Sequence, residues 1–301
     1  MTRAVPNAIL VTGSTAQIGN GNNNNLTFSG SIGSYDQATV ITIDNGSSGS
    51  TTFSGPNSIY GATFVSNNAG TVYAASSSAF GAATNNLTLS GGSTLNVLGG
   101  ITIQNPITIG AGANTLAGSG TIMNGGVALP VTNNVILSPS ASPGGGPGNL
   151  TFTTPMVFVG GAIHFQLYDA AGSAGTGWGL ITANGGIDLS GATANSITFN
   201  VVSANSTGGS APTLNFNPAS SYSWTFANAS SITGFNAADF NIITSGFTNS
   251  TGGGSFSVSE VGNNLDLNFT PVPEPSTWVL MGAGTLALGF AALRRRCVAR
   301  A

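Results

Sequence analysis

Lysine is absent from this 301-residue chain, and its five arginines stand at Arg3, Arg294, Arg295, Arg296 and Arg300. Charged residues make up 4% of the whole, against roughly a quarter in an ordinary globular domain. Between Ala4 and Leu293 the only group able to carry positive charge is His164, against eight acids: Glu274 near the end and, before it, Asp36, Asp44, Asp169, Asp188, Asp239, Glu260 and Asp266. Phosphate contacts need lysine or arginine, so nucleic acid is excluded as a partner. The single cysteine, Cys297, follows the last arginine cluster and has no partner for an intramolecular disulfide. One histidine and one distant cysteine cannot supply the three or four ligands of a zinc site.

Enzymatic signatures are missing in the same way. No Gly-x-Ser-x-Gly elbow is present to support a serine nucleophile. No Gly-Lys-Ser/Thr follows either glycine-rich segment, so neither is a phosphate loop. Glycoside hydrolysis needs two placed carboxylates, and no two acids lie close together on one strand face. Asp36 and Asp44, for example, are separated by a turn-like stretch. The sequence therefore predicts no enzyme, no catalytic residue, no cofactor and no metal ligand.

What is present is glycine, 45 residues of it, with abundant Asn, Ser and Thr and 41% apolar residues. Low charge with this apolar content is not the composition of a disordered chain. It suits short strands joined by Gly/Asn turns. Apolar residues alternate at Val40–Ile43, Leu87/Leu89, Leu95/Val97, Ile101/Ile103 and Ile107/Ile109, the period of two expected of strands. Equivalent apolar residues return at steps of roughly twenty, the range of solenoid repeats: Leu87 with Ile107, Leu95 with Leu116, Ile101 with Ile122, and Ile107 with Val127. Stacked coils of a parallel β-helix give that return. The alternative is a meander of hairpins.

The segment 138–148 is a run of Pro, Gly and Ser that reads as a linker. It divides a solenoid region, 1–137, from a second β-rich region, 149–271, which either continues and caps the solenoid or forms a β-sandwich. In this second region Ile163, Phe165 and Leu167 are expected on one strand face, with His164, Gln166 and Tyr168 on the other. His164 is thereby expected to be solvated. Trp178, Trp224 and Tyr222 are expected as core residues; their alternative use is as stacking platforms for sugars. The first eleven residues carry one arginine and an apolar run broken by Pro6 and Asn7. They fall short of a signal peptide, which suggests a fragment or a misplaced start.

The last thirty residues, 272–301, combine three features. Val272-Pro273-Glu274-Pro275 is proline-stiffened and extended. Thr277 to Leu293 is a 17-residue uncharged apolar run, about 25 Å long as a helix, at the lower end of what crosses a bilayer. Arg294, Arg295 and Arg296 then act as a cytoplasmic stop, and Trp278 sits where an aromatic ring prefers the membrane interface. Together these features resemble the PEP-CTERM sorting signal of Gram-negative bacteria. That resemblance implies recognition of Pro273, Glu274 and Pro275 by an exosortase-type processing enzyme acting at the membrane.

A loose motif also recurs: Asn25-Leu26-Thr27-Phe28-Ser29-Gly30, Asn86-Leu87-Thr88-Leu89-Ser90-Gly91, and weaker copies at Asn149–Phe152, Ile187–Gly191 and Asn264–Leu267. It resembles the autotransporter-associated β-strand repeats of bacterial surface proteins, which implies a passenger-type solenoid. The resulting expectation is an all-β, solenoid-like exported protein with one C-terminal transmembrane helix, 277–293. It is first a single-pass precursor with a cytoplasmic C-terminus, then a cell-surface or extracellular protein. Its expected role is structural or adhesive, with exopolysaccharide as a candidate partner; the alternative is a polysaccharide-binding or polysaccharide-degrading β-helix.

Overall fold

A computed structural model describes residues 2–19, 24–34, 39–46, 48–141 and 145–272. Their architecture is all-β, with large parallel sheets consistent with a β-helix or solenoid. One sheet of ten strands forms its spine. Its strands run, in chain order, Thr2–Val5, Asn25–Phe28, Ser50–Phe53, Thr71–Ala74, Thr94–Val97, Asn114–Gly118, Val135–Pro139, Gly161–Leu167, Ile197–Ser203 and Phe240–Gly246. Every neighbouring pair in this sheet is parallel.

Between visits to the spine the chain contributes strands to other sheets. In the first coils these are a two-stranded sheet, Ile9–Val11 with Ile32–Ser34, and a five-stranded sheet running from Thr15–Gly19 to Ile107–Ile109. From Thr102–Ile103 onward a seven-stranded and a four-stranded sheet take over. A coil such as Asn114–Gly118, Thr121–Ile122, Leu129–Val131 thus places one strand in each of three sheets. Short strands between Gly/Asn corners leave too little chain for helical crossovers, so the same short coil repeats.

The period-two alternation places one side chain in two inside. Gly161–Leu167 alternates strictly between buried and half-buried, with Ile163, Phe165 and Leu167 inward. The stacked inner residues form one continuous core. Within it Phe28 and Phe53, paired in register, stack at 5.7 Å. Phe53, Phe64 and Phe80 then meet edge to face, the geometry that ring quadrupoles favour.

Two of the four expected returns are direct partners: Leu87 with Ile107 and Leu95 with Leu116. The other two are corrected. Ile122 pairs with Ile103, not Ile101, because Ile101 lies in the corner before the strand begins. Val127 is 59% exposed in a turn and partners no strand. A fixed step of twenty cannot register coils whose corners differ in length.

The spine continues beyond the Pro/Gly/Ser segment, with Ile136 beside Ala162 and Leu137 beside Ile163. The strand Val135–Pro139 itself runs two residues into that segment. At the far end the pattern changes. Tyr222–Ala229 pairs antiparallel with Asn264–Thr270, which pairs antiparallel with Ser255–Val261. Phe216, Tyr222, Trp224, Phe247, Phe256 and Phe269 pack there as one aromatic cluster.

Candidate functional site

The last strand, Asn264–Thr270, is held on both edges by antiparallel neighbours. Pro271 cannot donate to a further ladder, so pairing stops there. Val272 is 53% exposed and is the last described residue. The folded ladder therefore ends where the proline-stiffened tail begins.

Residues 271–296 match the PEP-CTERM protein-sorting motif. No curated protein and no solved structure matches the chain. The PEP-CTERM match implies exosortase processing and a secreted, envelope-associated protein. The motif's own residues, Pro273, Glu274 and Pro275, the interfacial Trp278, the apolar run 277–293 and the stop Arg294, Arg295 and Arg296 lie outside the described residues. Among the described residues no helix is long and apolar enough to cross a membrane.

The remaining candidates fall inside the fold. Trp224 is 1% exposed, stacks on Tyr222 at 5.0 Å and donates its indole N–H to the Ala170 carbonyl at 3.0 Å. Trp178 is half-buried and donates to the Thr225 carbonyl at 2.9 Å. The Tyr222 hydroxyl accepts from the Asn217 N–H and donates to the Asn215 carbonyl, closing a loop. Trp224 is a core residue, Tyr222 is stacked between Phe216 and Trp224, and Trp178 is half-buried against the core.

His164 does face away from Ile163 and Phe165, but the expectation of a solvated ring is corrected. It is half-buried, its Nε2 is buried without a hydrogen-bond partner, and desolvation holds its pKa below the ordinary histidine value of 6.5. Gln166 Oε1, two residues on and on the same face, is also buried and unpartnered.

The acids act locally. Asp188 Oδ1 accepts from the Ser190 N–H at 2.9 Å and the Thr233 hydroxyl at 3.2 Å; the Ser190 bonds, backbone first, pull its pKa below the usual aspartate value. Asp169 caps a turn through the Ala171 N–H, and Asp266 accepts from Thr225 across the antiparallel ladder. Among the described residues no three His, Cys, Asp or Glu side chains come together as a metal site would require.

The recurring Asn-Leu-Thr motif has a definite use that composition did not reveal. In four copies the leading asparagine accepts a bond from a neighbouring strand: Asn25 from Ser50, Asn86 from Thr108, Asn149 from Thr182 and Asn264 from Asn228. Its side chain ties adjacent strands together on the outer face, while the following Leu87, Leu150 and Leu265 enter the core and Leu26 packs against it.

Proposed function

We propose that this chain is a non-catalytic structural or adhesive component of the bacterial envelope or extracellular matrix. A β-solenoid body is exported, held for a time by the apolar run 277–293, and processed at Pro273-Glu274-Pro275. The observation that carries the reading is the junction at residue 271. The sorting motif starts one residue after the last strand ends at Thr270, so cutting beyond it removes no paired strand.

The solenoid supports a stalk-like role, because stacked coils give reach and a long repetitive surface from few contacts per coil. The asparagine-led strands are the part that resembles autotransporter-associated repeats, in keeping with a passenger-type body. With almost no charge, such a body is solvated by hydroxyls and amides and has little electrostatic repulsion from neighbouring matrix.

The test is expression in a host carrying an exosortase, with the C-terminus followed by mass spectrometry and fractionation. Glu274→Ala, and separately replacement of Arg294, Arg295 and Arg296 by Ala, are expected to leave a membrane-held precursor. Unchanged processing in both variants would refute the sorting role.

A further inference from the structure

The outer face of the five-stranded sheet carries an open groove of about 430 Å3 at its edge strand, Thr15–Gly19. Its polar lining is Thr15, Gln17, Thr42, Asp44, Asn67 and Asn68. The strands Thr15–Gly19 and Val40–Asp44 run parallel with Gln17 beside Thr42, and the corner after Thr63–Ser66 brings Asn67 and Asn68 alongside. At the centre, Asp44 Oδ2 accepts from Gln17 Nε2 at 2.7 Å. Its Oδ1 accepts from Asn68 Nδ2 and from the Gly46 N–H. Three coils thus fix one carboxylate between two side-chain amides.

We propose that this groove is a binding subsite for a neutral polysaccharide chain. Its chemistry rules out the other ligand classes in turn. An anion would meet a carboxylate with no lysine or arginine in the lining. A calcium ion needs about six to eight oxygen ligands, and the carboxylate among the described lining residues, Asp44, already accepts from two amides and a backbone N–H. An apolar ligand would find, among the described residues, only Ala16 and threonine methyls. Sugar hydroxyls both donate and accept, and they match what remains: carboxylate lone pairs, amide oxygens, amide hydrogens and threonine hydroxyls. The size lies within the range of about 300–1,000 Å3 typical of ligand sites, and the open form admits a chain rather than an enclosed monosaccharide.

This inference does not rest on the tail or its processing. The test is affinity electrophoresis of the full-length protein in mild detergent, through gels containing dextran, galactomannan or a mixed-linkage β-glucan, with alginate as the anionic control. Retardation is expected in at least one neutral gel and not in alginate. Gln17→Ala and Asp44→Ala should each weaken it about tenfold, the loss of roughly one hydrogen bond. Gln17 is exposed on the edge strand, so its variant keeps the fold even if loss of Asp44 disturbs the turn at Gly46. Three outcomes would overturn the proposal: no retardation in any neutral gel, equal retardation in alginate, or retardation that Gln17→Ala leaves intact. Capture of extended peptides at the edge strand with no sugar binding would reassign the groove to strand addition. None of these results bears on C-terminal processing, which Gln17→Ala should leave unchanged.

Discussion

Asn105 donates its side-chain N–H to the main-chain carbonyl of Asn85, 3.1 Å away in the preceding coil. Both side chains are buried. Asn85 in turn accepts from the Ala62 N–H at 3.0 Å and donates to the carbonyls of Ile59 and Phe80 at 2.9 and 2.7 Å. Asn57, Asn114 and Asn124 do the same work at other corners, accepting from the backbone N–H of Ile32, Ser93 and Ile107. Tight corners leave peptide groups that no strand can satisfy, and buried asparagine supplies both a donor and an acceptor.

Replacing Asn85 by leucine should therefore cost more than its loss of polarity suggests. It strands the Ala62 N–H and the Phe80 carbonyl inside the protein, at about 1–3 kcal/mol for each group left unsatisfied, while the Ile59 carbonyl keeps its bond from the Ala82 N–H. The urea midpoint is expected to fall markedly, whereas Asn264→Leu, which breaks a surface bond between strands, should shift it little.

Phe53 joins Phe28, Phe64 and Phe80 and has no exposed surface. Phe53→Ala should destabilise by about 3–5 kcal/mol, the range for a large aromatic removed from a packed core. Equilibrium denaturation measures it, and a loss below 1 kcal/mol would contradict the packing described.

Glycines divide into two kinds. Gly118 has φ +112°, and a Cβ there would lie 2.1 Å from the Val97 carbonyl oxygen of the coil beneath. Gly100 has φ +77° with nothing within 4 Å of such a Cβ. Gly100→Ala should carry only the left-handed backbone cost of about 1–2 kcal/mol. Gly118→Ala adds a clash between backbones and should lose at least twice as much by the same measurement.

The pKa of His164 is lowered in the folded state, so the fold disfavours its charged form. Stability is whole above the unfolded value of 6.5 and declines as pH falls from there toward the folded value. The thermal midpoint should drop between pH 7 and pH 5 in the wild type and stay nearly level in His164→Gln. Asp188, also lowered, acts in the same direction but only below its ordinary value of 3.8, which separates the two effects.

The tail and the strands were largely legible because each is written in adjacent residues. Alternation at Leu87/Leu89 or Ile163–Leu167 needs only a period of two, and the spacing of Leu95 to Leu116 survives because the corners of those coils are of similar length. Ile101 and Val127 misled because a corner one or two residues longer moves a residue from the core to the turn, and no local pattern records that. The asparagine ladder was hidden for a related reason: in a chain this rich in Asn, residues 57, 85, 105, 114 and 124 look like turn formers until their coils stack.

Local chemistry alone settles that the body is a β-protein nearly free of basic side chains and that a proline-led apolar segment is followed by arginines. Those properties depend on residue type and near-neighbour order. Stacking decides which asparagines become internal ties, that Trp224 serves the core, that the His164 ring loses its water, and that Gln17, Asp44 and Asn68 meet in one groove. Those three residues come from successive coils, and only the register of parallel strands brings them within hydrogen-bonding distance.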